Sequence, residues 1–339
     1  MIPGTLSFLR IAALTMATAL IGGSAVWGAF ALWYQMPGGA VSKTSSVVAW
    51  VAFSIGVLVI SWHGRFTMGF IVFAAAFAAL LVCWTQLRPT NEHIWADDVA
   101  RLTHGTVEGD RVTLHEVRNF DWRTGTDYTQ RWETRSYELH RLRSVDMIMS
   151  YWRGPAIAHM LISFGSDDGS YIVFSVEVRR QKTQDFSEIG GFFKEFQLSV
   201  VAADERDVIR VRTNVRGEDV YLYRLQLPAA AIRSLFLGYV DEANSLAHTP
   251  RFYNTVTVNC TTLVYHMMKR IVGRLPLDYR LLLSGYLPAY VYGVGGLDRR
   301  YSLEELRRGG RITERARQAD RSETFSADIR RSVPGIDER

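Results

Sequence analysis

The first 85 residues contain no aspartate and no glutamate, and only Arg10, Lys43 and Arg65 carry full positive charge there. That excludes a water-facing domain surface, which needs charges of both signs. In 339 residues there are two cysteines, Cys83 and Cys260, too few for a disulfide framework. Metal-ligand spacings are missing: there is no His-x-x-x-His, no cysteine pair and no carboxylates clustered with histidine. Gly293-x-Gly295-Gly296 fits no nucleotide fingerprint, so no metal and no cofactor is expected. All 34 acids and all but three of the 39 Lys and Arg lie beyond residue 85. The remainder is therefore close to neutral, and a net charge of +5 makes no case for nucleic-acid binding.

Three apolar runs fill the acid-free segment, Ile11–Tyr34, Thr44–Trp62 and Phe66–Trp84, each near the length that crosses the hydrocarbon. They read as three transmembrane helices. Trp33, Tyr34, Trp50, Trp62 and Trp84 read as aromatic anchors toward their ends. The first run is too long for a cleaved signal peptide, and two more follow it. Arg10 with the N-terminal amine, and the His63–Gly64–Arg65 turn, should face the cytoplasm, and the loop carrying Lys43 should face out. Everything after Trp84 then lies outside the cytoplasm, in the periplasm of a bacterium with an inner membrane. Intramembrane acids are lacking, so the helices read as an anchor rather than an ion pathway.

Beyond the anchor (residues 1–88) the pattern changes to short strands, expected at Arg111–Val117, Asp146–Trp152, Ala158–Phe164, Ser170–Val178, Leu198–Ala202, Val208–Thr213 and Val220–Leu227. Two helices follow. One opens at Pro228 and stops before Pro250; the other begins near Cys260 and ends at Gly273. Strands first and helices after predict an α+β domain over 89–300 with a mainly antiparallel sheet. Leu281–Leu297, with Tyr286, Tyr290 and Tyr292, reads either as core packing or as a lip that meets lipid. The charged stretch Asp298–Arg339, with an extension taken from residue 301, reads as a solvated helix or tail.

Cys260 follows Asn259, a residue able to cap a helix. The free N–H groups and dipole of a helix start lower a thiol pKa and can stabilise an oxyanion. Asn259, Thr261 and Tyr253 are the candidate supports. The alternative is an inert buried cysteine. Among eight histidines, His159 opens an apolar run at a strand start, whereas the others lie at the membrane boundary, in polar surroundings or on the wrong helix face. If Asp167-Asp168-Gly169 forms a three-residue hairpin loop with Gly169 left-handed, His159 stands opposite Glu177. That carboxylate would orient the imidazole, completing a nucleophile–base–orienter set; the alternative for Glu177 is a surface ion pair with Arg179 or Arg180. Arg210, Arg212 and Arg216 could grip an anionic headgroup, or pair with the acids of Asp204-Glu205-Arg206-Asp207.

Several segments in one order resemble a known family. They are Asn119-Phe-Asp-Trp-Arg-Thr, Ser163-Phe-Gly, Ser175-Val-Glu-Val-Arg-Arg, Ala203-Asp-Glu-Arg-Asp, Arg212-Thr-Asn-Val-Arg and Phe252-Tyr-Asn-Thr-Val-Thr-Val-Asn-Cys-Thr-Thr. With Glu305-Leu-Arg-Arg-Gly-Gly-Arg-Ile-Thr-Glu-Arg-Ala-Arg in the tail, they resemble the bacterial Lnb N-terminal periplasmic domain family over about residues 110–330. Val258 departs from the asparagine often found before Asn259-Cys260. The resemblance implies a permuted papain-like (NlpC-type) domain in which His precedes Cys. It also implies a lipoprotein N-acyltransferase, with Cys260 as nucleophile, His159 as base and Glu177 or another polar group as orienter; a membrane phospholipid is the expected acyl donor. Arg212, Arg216 and Tyr286 are the candidate substrate contacts. A periplasmic amidase or lipid hydrolase with the same pair, and a non-catalytic envelope scaffold, are the other readings.

Overall fold

The computed structural model describes residues 3–336. The N-terminal amine, the Arg10 side chain and residues 337–339 of the charged stretch, all used above, lie outside the described residues. The chain divides into two compact units, Met1–Pro89 with Ser187–Glu195, and Thr90–Phe186 with Phe196–Arg339.

In the first unit α1 spans Pro3–Gln35, α2 Ala40–Ile60 and α3 Phe66–Gln86. Two stretches are long and apolar enough to cross a membrane, Ile11–Gln35 and Ala40–Gln86. This corrects the expectation of three separate spans. α2 and α3 form one apolar stretch of 47 residues, broken at Ser61–Arg65, where His63 and Gly64 leave helical φ/ψ. Phe73 of α3 lies 5.8 and 6.4 Å from the rings of Trp50 and Phe53, so the stretch folds back there. Ile11, Leu20, Val48 and Ile71 are among many exposed apolar side chains, a surface suited to lipid. Trp50 is no end anchor. It sits mid-helix, and its indole N–H donates to Ala25 O at 2.9 Å, joining α2 to α1 because a buried N–H needs an acceptor. The segment Ser187–Glu195 packs on these helices. Phe193 stacks on Phe30 and Tyr34 at 5.4 and 5.8 Å, and Lys194 Nζ donates to Trp84 O at 2.8 Å.

The second unit holds ten strands. They are β1 His104–Glu108, β2 Arg111–Arg118, β3 Asp121–Trp122, β4 Tyr128–Thr129, β5 Trp132–Glu138, β6 Leu142–Tyr151, β7 His159–Ser166, β8 Tyr171–Arg179, β9 Gln197–Ala203 and β10 Asp219–Arg224. Its helices are α4 Glu205–Arg210, α5 Ala229–His248, α6 Cys260–Val272, α7 Leu287–Gly293, α8 Leu303–Gly310, α9 Thr313–Gln318 and α10 Phe325–Arg330. One sheet runs β1-β2-β9-β8-β7-β6-β10, with β5 on β2. Its pairings are antiparallel except for one parallel bridge, Arg118 to Ala203, so the α+β domain carries a mixed sheet.

Both faces of the sheet are covered, which is why β6 to β9 read as nearly continuous apolar runs. Met147, Ile162 and Phe174 pack with Phe236 and Tyr239 of α5 and Val264 of α6. On the other face Ile148, Leu161 and Val173 pack with Val208, Ile209, Ile312 and Phe325.

Two expectations are corrected by that second face. Val208–Thr213 is not a strand. Asp204 caps α4 by accepting from Arg206 N, and a π turn at Val211–Val215 follows. Its apolar positions 208, 209 and 211 point to one helical side, although alternation with arginine mimics a strand. The charged stretch is not a solvated tail either. Through residue 336 it folds into three short helices within the same unit, burying Ile312, Ala316, Phe325, Ile329 and Val333.

Its deepest tie is Arg330, which bonds Glu205 at 2.6 and 2.7 Å and Asp146 at 2.9 Å, with all three side chains at most 3% exposed. Arg224 balances the second acid of this network. Removing one member of a buried ion pair leaves an uncompensated charge and costs about 3–5 kcal/mol. Arg330→Met should therefore lower unfolding free energy by about that amount in urea titrations of the detergent-solubilised chain. A loss under about 1 kcal/mol would contradict the buried network.

Candidate active site

The loop before α6 is closed by asparagine side chains. Asn254 and Val258 exchange two backbone hydrogen bonds at 3.0 and 3.1 Å, and Asn254 Oδ1 accepts from Val256 N and Thr257 N. Asn259 then caps the helix. Its Oδ1 accepts from Thr261 N and Thr262 N, both at 2.9 Å, while Thr262 Oγ1 accepts from Asn259 N. This reciprocal box pins the first turn, so Cys260 stands at the first helical position, buried at 8% exposure.

The loop leading to His159 is clamped from another element. Ser284 Oγ donates to Ala158 O and accepts from Ala158 N, and Tyr151 OH donates to Gly285 O at 2.7 Å. Gly285 lies so close to this loop that a Cβ there would fall 2.1 Å from Pro155 O.

At the other end of β7 the hairpin loop has Gly169 at φ +80°, and Ser166 N donates to Ser170 O. The ladder runs Leu161↔Ser175 to Gly165↔Tyr171, the register that faces His159 toward Glu177. His159 Nε2 lies 2.7 Å from Ser175 Oγ and 3.2 Å from Glu177 Oε1, and the Ser175 hydroxyl donates to Glu177 at 2.6 Å. Nε2–H is thereby committed, which leaves Nδ1 to exchange a proton. The Cys260 sulfur lies near enough to the same imidazole for each group to shift the other's pKa.

A line of alternating charge runs behind the pair. Glu177 Oε1 accepts from Arg212 Nη2 at 3.3 Å, and Arg212 Nη1 donates to Glu218 Oε2 at 3.1 Å. Burial alone would discharge His159, but the Glu177 carboxylate outweighs it and raises the imidazolium to about 9. Burial raises the Cys260 thiol, and the His159 hydrogen bond and charge more than reverse that, so its pKa falls. The Met160 backbone N–H adds to that lowering. Glu177, despite burial, is held well below the usual carboxylate range by His159 and Arg212. Both shifts act in the direction of a thiolate–imidazolium pair.

The remaining sequence candidates divide. Tyr253 feels the charges of Cys260 and Glu177, and burial pushes its phenol up, so it stays a donor. Thr261 is buried with Oγ1 4.0 Å from the sulfur. The Asn259 side chain is spent on the cap rather than offered to an oxyanion. Arg212 is a buried partner of Glu177, not an exposed headgroup clamp. Arg210 pairs with Asp320 at 2.8 Å, and Arg216 stands half exposed near Glu218. Tyr286 is exposed on a short turn and does not join Cys260.

The sequence reading missed Ser175 and Glu218. Ser175 was findable, since period-two alternation puts it on the face of Glu177. Glu218 belongs to no local pattern. Elsewhere Asp110, Glu138 and His140 bring ligand atoms within 4.8 Å of one another on an exposed turn, where Glu138 already pairs with Arg111.

An apolar cavity of about 200 Å³ is lined by Met160, Ile162, Thr261, Val264, Leu287 and Tyr290 among others, but by neither Cys260 nor His159. Met160 and Thr261 are the chain neighbours of His159 and Cys260.

Residues 128–285 match the family model of the Lnb N-terminal periplasmic domain, which is the family the motifs resemble. The match encloses His159, Glu177 and Cys260. No curated protein and no solved structure matches the chain.

A lowered thiol pKa makes a direct expectation. In a Cys83→Ser background, iodoacetamide should alkylate Cys260 at pH 6–7 at a rate that falls little below the ordinary thiol pKa of about 8.5. Glu177→Gln, which removes the charge sustaining the imidazolium, should shift the profile to higher pH. A profile centred at or above that ordinary value in both proteins would refute the ion pair.

Proposed function

We propose that this Lnb N-terminal periplasmic domain is a membrane-anchored thiol acyltransferase, with Cys260 as nucleophile, His159 as acid and base, and Glu177 as orienter. The order of His before Cys, with Cys opening a helix packed on the sheet, supports a permuted papain-like arrangement. The observation that carries the reading is a Cys–His pair whose chain neighbours Met160 and Thr261 line an apolar cavity of about 200 Å³, room for part of an acyl chain. The family match and the apolar helices support an inner-membrane anchor; with the second stretch folded back at Ser61–Arg65 the number of passes is odd, which supports an N-terminus in the cytoplasm and the catalytic domain in the periplasm.

The thiolate attacks the carbonyl of a phospholipid acyl ester. The oxyanion forms near the backbone N–H of Cys260, which has no hydrogen-bond partner among the described residues, with the Tyr253 phenol as a second donor. Collapse expels the alkoxide, which takes its proton from His159, and leaves a thioester on Cys260. An amine such as a lipoprotein N-terminus then attacks the thioester. Neutral His159 removes the amine proton, and the thiolate leaves with the amide formed. An apolar lining that keeps water from the thioester favours transfer over hydrolysis.

Intact-protein mass spectrometry after incubation with phospholipid should find an acyl adduct on Cys260 that neutral hydroxylamine releases. Cys260→Ala should lack both adduct and lipoprotein N-acylation. Full N-acylation in cells carrying only the alanine variant would end this mechanism.

A further inference from the structure

A second cleft, of about 410 Å³, opens at the sheet end that carries His159. Its walls come from three elements: the turn after β6 with Trp152 and Arg153, the turn before β10 with Arg216, and α8 with Arg307. Neither Arg153 nor Arg307 makes an ion pair among the described residues, and both are exposed. Arg307 instead lies over the Tyr221 ring at 5.6 Å, and Tyr151 packs edge-on to that ring at 5.5 Å.

Two carboxylates also line the cleft, but their charge is used elsewhere. Asp219 accepts from Arg311 at 2.7 Å, from Thr313 and from Tyr221 OH. Glu218 accepts from Arg212 and from the Ser150 hydroxyl, and its contact with Arg216 is a long 3.8 Å. Three guanidiniums thus line one hollow, and among the described residues only Arg216 has an ion pair there, the long contact with Glu218. Burial costs Arg216 stability of its charged form without full compensation.

We propose that this cleft binds a phosphate group, held by Arg153, Arg216 and Arg307 over an aromatic floor of Tyr151 and Tyr221. Planar guanidiniums approaching from several sides match the tetrahedral oxygens of phosphate, which a single ion pair would not. A carboxylate ligand would engage one guanidinium bidentately and leave the others unanswered. The cleft is separate from the apolar cavity, and its ligand need not be the acyl donor. It is nevertheless wired to the catalytic pair: Arg216 and Arg212 share Glu218, and Arg212 shares Glu177 with His159.

The test is binding, which does not depend on acyl transfer. The full-length chain in a non-ionic detergent is titrated calorimetrically with inorganic phosphate, with sn-glycerol 3-phosphate, and with micelles doped with phosphatidylglycerol. Affinity for at least one probe should fall about tenfold or more in Arg153→Ala/Arg307→Ala, since the variant loses two charge-assisted partners of the phosphate. It should also weaken with added salt. Both residues are exposed, so the variant's unchanged melting temperature checks that its fold is intact, and Arg153→Glu provides a second variant. Response to the soluble probes identifies a free or small organic phosphate as ligand. Response only to doped micelles identifies a lipid headgroup. Equal affinity of wild type and both variants for all three probes would overturn the proposal.

Discussion

The carboxylate of Glu177 is the group on which the site depends. It is largely but not wholly buried, yet kept ionised by three partners of different kinds: the imidazole of His159, the hydroxyl of Ser175 and the guanidinium of Arg212. An unpaired carboxylate there would take up a proton, because burial penalises charge. Paired as it is, it passes its charge to His159, and His159 passes the consequence to Cys260. A thiol at a helix start with no imidazolium beside it would be an ordinary buried cysteine.

The fold supplies this carboxylate with neighbours by bringing together distant parts of the chain. β7 and β8 contribute His159, Ser175 and Glu177 through one hairpin, while the π turn after α4 delivers Arg212 from the far face of the sheet. Buried ion pairs hold that face to the chain around it. Asp207 accepts from Arg118, from Phe120 N and from the Trp122 indole, which fixes the β2–β3 segment. Arg330 ties the last helix to β6 and α4. Several motifs that identify the family are therefore scaffold rather than chemistry. Asn119-Phe-Asp-Trp and Ala203-Asp-Glu-Arg-Asp meet at Asp207, whose partners are Arg118, Phe120 and Trp122.

The parts legible in advance were those governed by local rules. A loop of three residues with glycine last fixes a hairpin register, and that register alone faces His159 toward Glu177. Asparagine before a cysteine and an amphipathic run marks a helix start. The parts that were not legible depend on pairing across the chain. Whether Arg212 faces solvent or a carboxylate is decided by the π turn that buries it, and a charged tail reads as solvated until its isoleucines and phenylalanine find a sheet face. Trp50 likewise reads as an interfacial anchor when the run is taken to begin at Thr44, whereas the helix begins at Ala40 and places it mid-span. Ser187–Glu195, rich in phenylalanine, joins the helical unit through Phe193, and no periodicity announces such a partner.

The state of one imidazole is the most direct measure of all this. Selective 15N labelling of histidine, with assignment through His159→Gln, allows the ring nitrogens to be followed by NMR as pH is raised. His159 should remain imidazolium through neutrality and lose its proton near pH 9. A ring that is neutral at pH 7.5 and titrates at about 6.5, as an unperturbed histidine does, would contradict the central claim.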